Sequence, residues 1–222
     1  MTATTIITDQ ELIDYSYRYP VMEAFYTLQG EGSYAGRAAY FIRLAGCDVG
    51  CVWCDVKESW QEEGHPVKSI ADILADAKAE INEHQSVATL PIIVITGGEP
   101  LLHNLQPLTD ALHAEGYFIN IETSGSSPMS GNIDWICLSP KKFKAPLDEN
   151  LAMAHELKII IFNKSDFKWA EEHAAKVNAN CKLYLQTEWD KRATMTPLIV
   201  DYIKNNPQWQ LSLQTHKYIG VP

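Results

Sequence analysis

"AYFIRLAGCDVGCVWCD", residues 39–55, runs an apolar strand straight into three cysteines, Cys47, Cys51 and Cys54. Apolar residues broken by a single arginine suit a buried strand, and the cysteines then sit on a loop at its C-terminal end. In parallel α/β sheets chemistry collects at that edge. The stretch therefore predicts further parallel strands with helices between them. Apolar runs do recur, at 92–96 (IIVIT), 117–123 (YFINIET), 134–139 (DWICLS), 157–162 (LKIIIF), 182–187 (KLYLQT) and 210–215 (QLSLQT). Helix-period segments lie between them. Ser69 is placed to cap a helix presenting Ile70, Ile73, Leu74, Ala77 and Ile81 on one face. A second begins near Asn104, presents Leu105, Leu108 and Leu112, and stops at Gly116. Residues 165–177 and 197–205 complete the set. This alternation predicts an α/β fold with a mainly parallel sheet and right-handed crossovers. The runs are too few for an eight-stranded closed barrel, so the expected form is an open, partial β/α barrel. Residues 1–20 read as an N-terminal extension, with one short helix ended by Pro20, and 21–222 as a single domain.

The 222 residues carry 28 acidic and 18 basic side chains, a formal charge of −10, with a pI near 5.1. That balance argues against a nucleic-acid backbone or an anionic membrane as partner. No apolar run approaches the ~20 residues that span a bilayer, and the N-terminus lacks the basic start and apolar core of a secretory signal. Five cysteines, odd in number and clustered, suit a reducing cytosol rather than a disulfide scaffold, so a cytoplasmic location is expected.

A structural zinc site wants four ligands, and this loop offers three cysteines with His65 as the only nearby candidate for a fourth. The spacing C-x-x-x-C-x-x-C fits an iron–sulfur cluster with three irons held by cysteine and one left open to a small molecule. Cys137 and Cys181 read as buried or incidental, since a free cysteine behaves as a small apolar residue. In "IIVITGGEP" (92–100) a buried strand ends at Gly97 and Gly98, where a missing side chain lets the backbone approach a ligand. Glu99 places a carboxylate there, and Pro100 stiffens the exit.

Together "GCDVGCVWC" and "TGGEP" resemble the radical S-adenosylmethionine superfamily. The resemblance implies a partial β/α barrel whose 4Fe–4S cluster binds the amino and carboxylate groups of S-adenosylmethionine through the open iron. Reductive cleavage then yields a 5′-deoxyadenosyl radical. More specific are "FYTLQGEG" (25–32), "FIRLAGC" (41–47), "INIETSGS" (119–126), "LSPK" (138–141), "YLQTEWD" (184–190) and "LSLQTHKYIGVP" (211–222). From Val21 to Pro222 these resemble the 7-carboxy-7-deazaguanine synthases. That family resemblance implies conversion of 6-carboxy-5,6,7,8-tetrahydropterin to 7-carboxy-7-deazaguanine with loss of ammonia, in queuosine and deazapurine biosynthesis. Hydrogen is removed at C6 and later returned, so the cofactor is re-used. An external, flavodoxin-like electron donor and a homodimer are implied as well.

The substrate so implied has a carboxylate at one end and a donor-rich aminopyrimidinone at the other. Arg43, inside an apolar strand, suits the carboxylate through two parallel hydrogen bonds; its bland role is a surface salt bridge. Thr96 closes its strand and is placed to donate to the substrate. By resemblance, Gln29 with the backbone of Leu28 and Gly30 reads the pterin edge, and Glu31 and Glu122 hold the pterin or fix the loop. His216 lies near the substrate, and the terminal carboxylate of Pro222 accepts from the pterin's N–H groups. For the cofactor, the resemblance places Trp53 beside the adenine and Gly98 and Glu99 at the methionine amino group. It adds Asp55, Ser139, Pro140, Lys141, Gln186, Thr187 and Glu188 to the same site. One departure stands out: Val56 follows Cys54-Asp55 where many family members carry Thr, the hydroxyl associated with a magnesium ion. Valine offers no oxygen, and magnesium demands oxygen ligands. Two rivals share parts of the pattern: an activase that installs a glycyl radical on a partner protein, and a zinc-bearing binding module.

Overall fold

Each of the apolar runs contributes a strand in the computed structural model of the chain, which describes residues 13–84 and 89–222. In order these are β1 (Arg18–Leu28), β2 (Ala38–Leu44), β3 (Val67–Ser69), α1 (Ile70–His84), β4 (Ile92–Gly97), α2 (Gln106–Ala114), β5 (Ile119–Thr123) and β6 (Trp135–Leu138). There follow α3 (Asp148–Met153), β7 (Glu156–Ile161), α4 (Asp166–Ala174), β8 (Lys182–Thr187), α5 (Arg192–Asn205), β9 (Trp209–Ser212) and α6 (Thr215–Ile219). The strands form one nine-stranded sheet in the order β3-β1-β2-β4-β5-β6-β7-β8-β9. From β2 through β9 along that order every pairing is parallel. The sheet does not close on itself, and the expected partial barrel is what forms.

Two strands have no counterpart in the periodicity. β1 pairs antiparallel with both β2 and β3; its sequence, RYPVMEAFYTL, alternates irregularly, and β3 has only three residues. Because β1 starts at Arg18, the boundary expected at residue 20 falls inside a strand, with Tyr19 fully buried. Residues 1–12, which carry most of the expected extension and its helix, lie outside the described residues.

The helix signals translate closely. Ser69 Oγ accepts from the Asp72 N–H at 3.1 Å, and the Asp72 carboxylate accepts from the Ser69 N–H at 3.1 Å, a reciprocal cap for α1. After α2, Gly116 adopts φ 84° and the Tyr117 N–H returns to the Leu112 carbonyl. That turn consumes the start of the 117–123 run, so β5 begins only at Ile119. α5 begins at Arg192 rather than at Pro197, which sits inside it. The Glu188 carboxylate accepts from the Asp190 and Lys191 N–H groups and starts the turn that leads into α5.

The core is split by the sheet. On its outer face two apolar clusters pack beneath the helices, one under α1 and α2, the other under α3, α4 and α5. Leu157, Ile159 and Ile161 of β7 belong to the second cluster, so by the strand's alternation Glu156 and Lys158 take the inner face. On the inner face a small apolar cluster lies under β2 and β4, where Ala39, Ile92 and Val94 meet Tyr34 and Phe41. Two irregular segments complete the barrel. Residues 29–37 cross its interior: the Gly32 N–H donates to Ser212 Oγ at 3.1 Å and the Ser33 N–H to Glu156 Oε2 at 2.9 Å. The chain's end bridges from β9 to β1. There the Thr215 N–H donates to the Gly30 carbonyl at 2.9 Å and Thr27 Oγ1 to a terminal oxygen of Pro222 at 3.1 Å.

Candidate active site

The cysteine loop leaves β2 and interlocks with the end of β4. The Gly98 N–H donates to the Leu44 carbonyl at 3.0 Å and the Glu99 N–H to the Gly46 carbonyl at 2.8 Å. A Cβ on Gly98 would lie 2.3 Å from the Gly46 carbonyl oxygen and 2.7 Å from that of Ser59, so only glycine lets the two loops meet. Cys47, Cys51 and Cys54 are free thiols lining one cavity of about 290 Å³, near the lower end of the ~300–1,000 Å³ usual for small-molecule sites. Burial raises the Cys47 thiol pKa and pushes Cys51 up to about 11, with Lys141 working in the opposite direction. Metal ligation therefore has to displace protons from these thiols.

Among the described residues, no three His, Cys, Asp or Glu side chains converge as a single ion requires. A cluster asks for less, because each thiolate takes its own iron. Three thiols along one cavity wall fit that donor set. His65 does not line the cavity and bonds through Nε2 to the Glu58 carbonyl at 2.9 Å, which removes the fourth ligand a zinc site would need.

Next to the cysteines, Glu99 is 1 % exposed. Its carboxylate accepts from the Ser124 N–H at 2.8 Å, the Leu101 N–H at 3.1 Å and the hydroxyls of Thr123 and Ser124. Four donors fix its position. Lys141 Nζ donates to the carbonyl and hydroxyl oxygens of Ser139 at 2.5 and 2.6 Å and lies 5.9 Å above the Trp53 ring, which meets Phe143 edge-on. Burial lowers the Lys141 pKa. Asp55 pairs with Lys217 of α6 at 3.0 Å, tying the cysteine loop to the chain's end. Gln186, Thr187 and Glu188, at the end of β8, complete this side. Pro140 is buried but does not line the cavity, so of the residues expected at the cofactor it alone is not brought there; Ser139 and Lys141 flank it with their side chains in place.

The remaining expected residues line the same cavity. Arg43 Nε donates to Glu23 at 2.6 Å, so the salt-bridge role is real. Neither terminal guanidinium nitrogen has a partner among the described residues, and Arg43 still lines the cavity. Thr96 is its direct neighbour in register on β4. Gln29, Glu31 and Glu122 meet around a residue that sequence reasoning missed, Lys158. Its Nζ donates to Glu31 Oε2 and, at 3.0 Å, to Glu122 Oε2. Burial works to raise the Glu31 pKa, but the Lys158 ammonium and hydrogen bonds from Lys158, Gln214 and Gln186 hold it down to about 2. A lone lysine within the apolar run LKIIIF was the available signal, since a lysine inside a core strand needs a partner. His216 packs on Gly30, where a Cβ would lie 2.0 Å from its Nδ1, and burial lowers its pKa, leaving the ring neutral at pH 7. Leu28 and Pro222 also line the cavity. The strand expected over 210–215 ends earlier, at Ser212. Thr215 turns to bond Gly30 through both its N–H and its hydroxyl, which starts α6.

Comparison with known proteins agrees with this geometry. The radical SAM superfamily pattern matches residues 41–145. A 7-carboxy-7-deazaguanine synthase of Flavobacterium psychrophilum is 54% identical over 203 residues, covering 91% of this chain and 92% of that protein. One from Synechocystis is 48% identical over 204 residues, covering 91% and 93%. One from Escherichia coli K12 is 36% identical over 223 residues, covering 92% and 99%. The crystal structure of QueE from Escherichia coli superposes with a TM-score of 0.79 at 32% identity, over 90% of this chain and 95% of that one. The chain therefore belongs to the 7-carboxy-7-deazaguanine synthase family, within the radical SAM superfamily.

Proposed function

We propose that this protein converts 6-carboxy-5,6,7,8-tetrahydropterin to 7-carboxy-7-deazaguanine and ammonia. The observation that carries the reading is a single cavity lined by the cysteine triplet, Arg43 and an acceptor-rich wall of Glu31, Glu122 and Pro222. Cys47, Cys51 and Cys54 would hold a 4Fe–4S cluster, which with S-adenosylmethionine would supply the one-electron radical chemistry. The residues of the chain bind and orient. Arg43 presents its two terminal nitrogens to the substrate carboxylate. Glu31, Glu122 and the terminal carboxylate of Pro222 accept from the N–H donors of the aminopyrimidinone, and Gln29, Leu28 and Gly30 line that edge. Thr96 contributes a hydroxyl beside Arg43, and neutral His216 keeps both hydrogen-bonding roles open to the ring. Glu99 receives the methionine amino group. Trp53 flanks the adenine, with Asp55, Ser139, Lys141, Gln186, Thr187 and Glu188 around the cofactor.

Held in this way, C6 loses a hydrogen atom next to the carboxylate and N5, two groups that delocalise the radical left behind. Loss of ammonia alone balances substrate against product, so the reaction is redox-neutral and the hydrogen can be returned. Anaerobic turnover of 6-carboxytetrahydropterin by the reconstituted, reduced protein should give the deazaguanine by mass, with ammonia and without net consumption of S-adenosylmethionine. Absence of that product from a protein that still cleaves S-adenosylmethionine would falsify the reading. The activase alternative is not favoured, since relatives over nearly the whole chain carry the synthase name.

By the same reading the enzyme works in the cytoplasm as a homodimer and takes its electron from a flavodoxin-like donor. Among the described residues no helix is long and apolar enough to cross a membrane. Magnesium, where it takes part, finds no side-chain oxygen at Val56, which lines the cavity. Magnesium should stimulate Val56→Thr more strongly than the natural protein. Superimposable magnesium titrations of the two would show that position 56 does not touch the ion.

A further inference from the structure

Lys158 stands on the inner face of β7, 3 % exposed. An ammonium buried this deeply is costly unless it is paired, and it is paired twice, with Glu31 of the interior segment and Glu122 of β5. The other oxygen of each carboxylate is also engaged. Gln214 Nε2 donates to Glu31 Oε1 at 3.0 Å, and Gln29 Nε2 to Glu122 Oε1 at 2.9 Å. All five residues line the cavity. One ammonium between two carboxylates leaves this part of the cavity with a net negative charge, while Arg43 stands on β2, separated from the Glu122 strand by β4. A ligand with a carboxylate at one end and N–H donors at the other is thereby oriented.

From this we infer that Lys158 is a positioning residue: it keeps Glu31 and Glu122 available together as acceptors for the donor edge of the substrate. The inference rests on the reaction proposed above. Two carboxylates sharing a buried site without a cation cannot both stay ionised, and one would take up a proton. That carboxyl would then present a donor to a donor. The titratable groups around the cluster are Cys137 on β6, Glu156 on β7, Lys141 after β6 and His216 on α6. His216, whose pKa burial lowers, is common to the natural protein and both variants below.

The test is calorimetric binding of 6-carboxytetrahydropterin to anaerobic protein loaded with cluster and S-adenosylmethionine, from about pH 6 to about pH 9. Lys158→Met should bind at least about tenfold more weakly at the acid end. The deficit should shrink as pH rises and the second carboxylate ionises, a slope that the natural protein lacks. Glu31→Gln keeps the Lys158–Glu122 pair, so it guards against a folding failure of the first variant. It should lose about tenfold without gaining a pH slope. Unchanged affinity in either variant, or a deficit in Lys158→Met that is equal at every pH, overturns the role and leaves the reaction standing. Absence of binding by the natural protein overturns the reaction, and this inference with it.

Discussion

At the scale of single residues, the cavity separates side chains that act by ligation from those that act by charge and shape. Cys47, Cys51 and Cys54 line it, whereas Cys137 is 1 % exposed on β6 and Cys181 precedes β8. Changing any of the first three to Ala should abolish the brown colour and bound sulfide together with activity, because each thiolate holds its own iron. Cys137→Ala and Cys181→Ala should keep the cluster, and full iron and sulfide in Cys51→Ala would refute the ligand set. Arg43 serves two partners, Glu23 through Nε and, by proposal, the substrate through the terminal nitrogens. Arg43→Lys keeps the charge but loses the fork, which should weaken substrate binding by about 1.5–3 kcal/mol, roughly ten- to a hundredfold. Should Arg43→Ala bind substrate as tightly as the natural protein, its work lies in the Glu23 pair alone.

Among the elements, the last ten residues do what a further strand does in a closed barrel. β9 ends at Ser212, and Thr215, Lys217 and Pro222 then bond to Gly30, Asp55 and Thr27 respectively. The gap between β9 and β1 is closed by a short helix and a carboxylate. Chain ends usually fray; this one is held at both α6 and Pro222. Adding a few residues after Pro222 converts that carboxylate to an amide and crowds the cavity mouth. Turnover should fall sharply, while the cluster and bound S-adenosylmethionine persist. An N-terminally tagged protein is the control, and equal turnover by the two would reduce the terminus to a bystander.

For the whole molecule, the buried charges inside the sheet make stability depend on pH. Glu31 is held down to about 2 from an ordinary 4.5. A depressed carboxyl contributes stability above its unfolded value, and that contribution drains away as pH falls from about 4.5 towards about 2. Denaturant unfolding of the cluster-free protein should therefore show a steep loss across this window, and Glu31→Gln should flatten it. Identical slopes for the two proteins would mean that Lys158 does not hold Glu31 in solution.

The sequence alone determined the succession of parallel strands along the chain, the capped α1, the glycine stop of α2, and which loops would carry chemistry. These are local matters: strand alternation, helix period, caps and glycine turns are read within a few residues. Cys47, Cys51, Cys54, Gly98 and Glu99 were legible for the same reason, since the strand ahead of each group points it to one edge. β1 was not legible, because its burial alternates irregularly and its partners are strands on either side of it. Only the tertiary structure decided the interior. Lys158 meets Glu31 across 127 positions and Thr27 meets Pro222 across 195. A lysine in an apolar strand and a proline at a chain end have no local pattern that names such partners; the curvature of the sheet brings them together.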